Sequence, residues 1–239
     1  MIKRGIESLE IYLKPTEIID SNSPVIVKYA SEIKGSMEDP RDVAKRLFIA
    51  VRDGIIYDPY TPFFLPEHYR ASLVLERKRG FCIPKASLLC ALSRACGIPA
   101  RIGFATVKNH LATRELIEFL GSDLFPYHAY VEFYIEGMWV KATPAFNKEL
   151  CNKFKVPPID FDGEHDAIFQ PYNMEEKKFM EYVEFLGIYA DIPVEKIVSG
   201  FKKAYGEEKV NSWIQRYLEK GYIRGPFENE VNRMISSSY

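Results

Sequence analysis

The 239-residue chain has little of what would class it at a glance. It has four cysteines, without the paired spacing of a zinc site and too sparse for a disulfide scaffold. No stretch approaches the roughly 20 apolar residues that cross a bilayer as a helix, so no such span is expected. The start, Met1-Ile-Lys-Arg-Gly-Ile6, lacks the apolar core and cleavage site of a secretory signal. The expectation is a cytoplasmic protein with free thiols. Lysine plus arginine total 32 against 33 aspartates plus glutamates, a net charge of −1. That balance gives nucleic acid or an anionic membrane nothing to bind by charge. There is no EF-hand-like calcium loop, no internal repeat and no low-complexity tract. Nothing calls for a metal or an organic cofactor, and nothing marks an oligomeric state.

What is present centres on Cys82. It follows Gly80-Phe81 and precedes Ile83-Pro84-Lys85 and a helical pattern. Pro84 suits a first helical turn, where a missing N–H costs little. Ala86, Leu89, Leu92, Ser93 and Cys96 recur at spacings of three and four, a single buried stripe. Gly97 and Pro99 end the helix. Cys82 is thus placed at the N-cap or in the first turn. There the helix dipole and free backbone N–H groups favour the thiolate, the form that attacks carbonyl carbon. Lys85 and the Arg77-Lys-Arg79 cluster add positive charge nearby. Gly80 would turn the chain tightly and leave room for a substrate backbone. Cys90, Cys96 and Cys151 read as inert thiols.

Of the four histidines, His128 alone falls on a strand, in the alternating run Tyr127–Ile135. His110 and His165 lie in polar, solvated stretches, and His68 in a loop. Ala100–Lys108 reads as a strand, followed by a connection with a short helix at 113–120. Tyr127–Ile135 and Met138–Thr143 flank Glu136-Gly137, a two-residue hairpin turn. Carried down the hairpin, this pairing sets His128 across from Ala145. Thr143 and Asn147 are then diagonal neighbours on the same face. A cysteine opening a helix and a histidine on a strand are the parts of a Cys–His acyl-transfer site, with a third group to orient the imidazole.

With these residues the chain resembles the transglutaminase-like superfamily of cysteine enzymes. The matching stretches are Gly80-Phe-Cys82, Arg94-Ala-Cys-Gly-Ile-Pro-Ala-Arg101, His128-Ala-Tyr-Val-Glu132 and Trp139-Val-Lys-Ala-Thr-Pro144, preceded by Val51–Tyr57. They span about residues 40–147. The resemblance implies an α+β, papain-like core, with the cysteine-bearing helix packed on an antiparallel sheet. It implies a mechanism class shared by transglutaminases, peptide N-glycanases and bacterial peptidases. The family's strand after the histidine ends in Asp-Pro, and the Asp completes a triad. Here Thr143 stands at that position, with a hydroxyl but no charge. Asn147, or a carboxylate from Asp160, Asp162 or Asp166, is an alternative orienter. The Cys82 N–H is the natural first oxyanion donor. No glutamine precedes Cys82, the first being Gln170. Tyr57, Tyr60 and Tyr69 are hydroxyl candidates for the oxyanion or substrate.

The expected organisation is a core over residues 1–172 and a helical C-terminal extension over 173–239 that packs on it. Residues 1–22 read as extended, with a strand near Glu10–Leu13. Helices open at Pro24 and Pro40. A loop at 58–70 walls the site before a short helix at 72–78. Residues 148–172 are irregular, and helices follow at 174–186, 193–205 and 207–220. The expected function is cleavage or transfer of an amide or peptide acyl group through a Cys82 thioester, with hydrolysis favoured. The substrate would be a peptide, a protein or a small amide. The alternative is a scaffold or binding module that keeps the fold without turnover, supported by Thr143 in place of Asp.

Overall fold

In the computed structural model, which describes residues 9–236, proline opens each of the first two helices. These are α1 (Pro24–Lys34) and α2 (Pro40–Gly54). Asp39 caps α2, its carboxylate accepting from the Arg41 N–H at 2.8 Å. β1 (Ile56–Tyr57), α3 (Ala71–Arg77) and β2 (Arg79–Gly80) lead into α4 (Cys82–Ala95). β3 (Ala100–Asn109), α5 (Arg114–Leu120), β4 (Leu124–Ile135) and β5 (Met138–Ala142) follow. α6 (Lys148–Phe154), β6 (Met180–Tyr189), α7 (Val194–Tyr205), α8 (Glu207–Lys220) and α9 (Phe227–Ser236) complete the described residues.

The architecture is α+β. A four-stranded antiparallel sheet runs in the order β5-β4-β3-β6, and α4 packs on it. α1, α2 and α3 cover the other side of α4, so this helix is buried all round rather than along one stripe. Ile83, Ala86, Leu88, Leu89, Cys90, Ala91 and Leu92 are fully buried. Each such leucine or isoleucine contributes about 1.5–3 kcal/mol. The two cationic side chains of α4 that are buried bond to carbonyls outside the helix. Lys85 Nζ donates to Arg52 O at 2.8 Å and Ile55 O at 2.6 Å. Arg94 donates to the carbonyls of Ala100, Lys14 and Ala190. Burial lowers the Lys85 amine to about 7.

The β4–β5 hairpin has the expected register, with Ile135 opposite Met138 and Val131 opposite Ala142. Glu136 (φ 49°) and Gly137 (φ 88°) form its primed turn. Three residues of the motif form one structural cluster. Arg101 pairs with the buried Glu132 at 2.6 Å and lies 3.8 Å from the centre of the Trp139 ring.

Several expectations give way. Residues 174–186 are not a helix: Met180–Tyr189 is β6, paired to β3. Two register shifts in that pairing, and exposure of Val183, Phe185 and Ile188 at the sheet edge, erase the alternation that marks a strand. Leu9–Lys14 form helical turns rather than a strand, through Tyr12 N to Leu9 O and Lys14 N to Glu10 O. The reading of residues 1–8 as extended lies outside the described residues. The stretch after 147 holds α6, and α9 was not anticipated. His68 is buried, not in open loop, its Nδ1 accepting from the Phe64 and Leu65 N–H groups at 3.2 Å.

Candidate active site

Cys82 is the first residue of α4, with Phe81 extended before it as the N-cap. The short parallel pairing of β2 with β1, Tyr57 opposite Gly80, fixes the approach to that helix. Gly80 serves this turn: a Cβ there would come within 2.8 Å of Pro84 Cβ. The expected room for a substrate backbone at Gly80 is filled by Pro84.

His128 follows a bulge. Ala105 pairs with His128 and Val107 with Phe125, so Pro126 and Tyr127 together oppose Thr106. Tyr127 is in the left-handed region (φ 57°), uncommon for an aromatic residue. Gly200 of α7 makes this geometry possible, since a Cβ there would meet the Tyr127 ring at 2.3 Å. Bulges bend a strand and re-aim its side chains, and this one sits one residue before the imidazole.

Thr143 Oγ1 lies 3.2 Å from His128 Nε2 and 3.2 Å from the Ala129 carbonyl. A carbonyl only accepts, so the threonine proton goes to Ala129 O. The oxygen is then an acceptor for Nε2–H. This assigns the tautomer from the hydrogen-bond network: Nδ1 carries the lone pair and is the ring atom left to receive a proton. The family position of Asp is therefore occupied by a group that orients the ring without charge.

Cys82 and His128 line one cavity of about 810 Å³. Cys82 keeps partial exposure there, but the walls are apolar. Phe169 and Tyr182 flank the imidazole, with ring centres 5.1 and 6.1 Å away. Burial pushes the Cys82 thiol up to about 11, against the opposing pull of the Ala129, Ile83 and Cys82 N–H groups. Burial lowers His128 to about 3. The expectation of a resting thiolate is thereby corrected. A helix N-terminus supplies at most about 2 kcal/mol, and removing the thiolate from water costs more. Both directions favour thiol and neutral imidazole over an ion pair.

The nearby charges that the sequence suggested are directed elsewhere. Lys85 faces the carbonyls at the end of α2. Arg79 pairs with Asp58 and Glu228. Asn147 is the N-cap residue of α6, and its Oδ1 accepts from the Tyr57 N–H at 3.3 Å; it is not the group on the imidazole. Asp160 pairs with Arg52, Asp162 with His165 and Asp166 with Lys141, none of them with His128. Tyr60 OH donates to Glu230 Oε2 at 2.6 Å, and Tyr69 OH donates to the Phe63 carbonyl. Those two hydroxyls are engaged away from an oxyanion position, whereas Tyr57 lines the cavity.

Sequence reasoning did not find the Ala129 N–H beside the sulfur, nor the wall formed by Phe169, Phe201, Tyr205 and Trp213. The first follows from the bulge and the second from long-range packing, and neither has a local signature. Among the described residues, no three His, Cys, Asp or Glu side chains group as a metal site. Nor is any helix there long and apolar enough to cross a membrane.

Residues 27–144 match the model of the transglutaminase-like superfamily. No curated protein matches the chain by sequence. Among solved structures, a candidate cysteine protease from Cytophaga hutchinsonii aligns at 17% identity and a TM-score of 0.44, over 76% of this chain and 54% of its own. A candidate protease from Parabacteroides distasonis aligns at 15% and 0.37, over 56% of this chain and 25% of its own. The periplasmic domain of TgpA from Pseudomonas aeruginosa aligns at 19% and 0.36, over 51% and 43%. The chain thus spans about half the length of the first of these and less of the others.

Proposed function

Because residues 27–144 place this chain in the transglutaminase-like superfamily, we propose that it is a cysteine enzyme acting on an acyl group through Cys82. Cys82 Sγ attacks an amide or related acyl carbon, and His128 Nδ1 takes the thiol proton as the bond forms. His128 then returns that proton to the leaving group, giving a thioester. Water attacks the thioester, favouring hydrolysis over transfer to an amine. The observation that carries this reading is the shared cavity of Cys82 and His128, with Nε2 held by Thr143. The neutral resting pair makes His128 a general base, in place of a preformed ion pair. The substrate is a peptide, protein or small amide.

One observation favours a second reading, a binding module without turnover. Thr143 offers the imidazolium no charge, and the thiol rests protonated. The two readings part on turnover of a p-nitrophenyl ester and its anilide. The enzyme reading expects release that vanishes in Cys82→Ala and falls steeply in His128→Ala. Equal rates in all three proteins would leave the binding module.

A further inference from the structure

The cavity beside Cys82 is far less polar than chemistry at one thiol and one imidazole requires. Of the residues lining it, not one is Asp, Glu, Lys or Arg. Two of its polar groups are turned to the protein: Tyr205 OH donates to Leu124 O at 3.2 Å, and Asn109 Oδ1 accepts from the Leu111 N–H at 3.0 Å.

Much of this wall comes from outside residues 27–144. α7 contributes Phe201 and Tyr205, α8 contributes Trp213, and Ile223 follows α8. Trp213 stacks on Phe119 of α5 at 4.6 Å and 20°, a rigid flat surface. Outside the cavity, α9 is tied to the start of α5 and to the residues before α4. Buried Glu230 of α9 accepts from Tyr60 and Thr113, and Glu228 pairs with Arg79 at 2.8 Å. A charged or amide-bearing substituent inside would lose water and find few partners. A hydrocarbon would lose nothing and gain contact throughout.

We propose that the group carried on Cys82 is an uncharged, apolar acyl group, aliphatic or aromatic, whose hydrocarbon part is seated against the α5–α7–α8 wall. This rests on the reading of Cys82 as nucleophile. In the first step the S–C bond forms and the bond from acyl carbon to leaving group breaks. The thiol proton passes through His128 to the leaving group. In the second step water forms the C–O bond, the C–S bond breaks, and a water proton returns through His128 to sulfur. The products are an apolar carboxylic acid and the protonated leaving group. The same chemistry would come from a free acyl chain or from an apolar residue of a peptide.

The test is kcat/KM for p-nitrophenyl acetate, butyrate, hexanoate, octanoate, hemisuccinate and N-acetylphenylalaninate, with intact-mass location of the acyl adduct. Burying one added methylene is worth about fourfold. Octanoate should therefore exceed acetate by at least about a hundredfold, and hemisuccinate should be the poorest. A lead for octanoate identifies a free acyl chain, and a lead for the phenylalanine ester identifies an apolar peptide residue; both support the proposal. Adducts on Cys82 with acetate or hemisuccinate as good as octanoate would overturn it and leave the nucleophile standing. No adduct on Cys82 from any ester would remove both. A second measurement needs no chemistry. In Cys82→Ala/Trp139→Phe, octanamide should shift the emission of Trp213, and succinamate at equal concentration should not. Equal shifts, or none with octanamide, would also overturn the apolar assignment.

Discussion

Replacing Thr143 by valine keeps the shape of the side chain and deletes the oxygen between His128 and Ala129. Thr143 is 1% exposed, so no water replaces that oxygen freely. The His128 Nε2–H and the Ala129 carbonyl each lose a partner, at about 1–3 kcal/mol per buried group. One carbonyl lone pair and a small ring rotation recover part of this, so a net loss of about 2 kcal/mol is expected. For a chain of this size that is a fall of roughly 4–8 °C in Tm. The catalytic effect is separate. Without an acceptor at Nε2, the tautomer with the proton on Nδ1 becomes competitive, and that form cannot take the thiol proton. That alone costs a few-fold, and loss of the hydrogen bond to the imidazolium that forms as the thiol proton is taken, about 1.4–2.8 kcal/mol, lowers kcat about ten- to a hundredfold. Thr143→Ser keeps the hydroxyl and should restore kcat while still losing some stability. The assay is ester turnover with thermal unfolding in parallel. A kcat unchanged in the valine variant, or equally depressed in the serine variant, would refute the orienting role.

Three further outcomes follow from the same geometry. His128 and His68 are held neutral, lowered to about 3 and about 4 by burial. Below pH 6.5 the unfolded chain binds their protons and the folded chain does not, so stability is lost as pH falls from about 6.5 toward 3–4. Urea midpoints should fall across that window, and His68→Gln should flatten the slope; a flat profile would count against neutral buried imidazoles. Glu230→Ala strips the acceptor from Tyr60 OH and Thr113 Oγ1. A loss of about 2–4 kcal/mol is expected, with α9 amides exchanging faster, and unchanged exchange would contradict a pinned α9. Gly80→Ala presses on Pro84. It should lower kcat at least tenfold by moving the start of α4, and wild-type turnover would show that the entry tolerates displacement.

The parts of this molecule written in local pattern were legible. Ser23-Pro24 and Asp39-Pro40 open helices, Gly97 follows α4, and Glu136-Gly137 turns the hairpin with the expected register. The Thr143–His128 contact was legible both from that register and from the family's Asp position. What sequence did not carry was set by distant neighbours. β6 lost its alternation to two irregular steps against β3. Asn147 left the histidine's face because β5 ends at Ala142 and the chain turns to begin α6, where the amide meets Tyr57. The thiolate inferred at a helix N-terminus was opposed by burial in a cavity that Cys82 shares with Phe125 and Phe169, which the fold brings from elsewhere in the chain. Helix position is local, and desolvation is not.

The central claim is that the Cys82 sulfur becomes acylated with His128 as its base. Intact-mass analysis after rapid quench with excess p-nitrophenyl octanoate tests it directly. The account predicts one octanoyl adduct on Cys82 in the first turnovers at pH 7.5, absent in Cys82→Ala and formed at least a hundredfold more slowly in His128→Ala. An adduct on another residue, or one formed at the same rate without the imidazole, would contradict it.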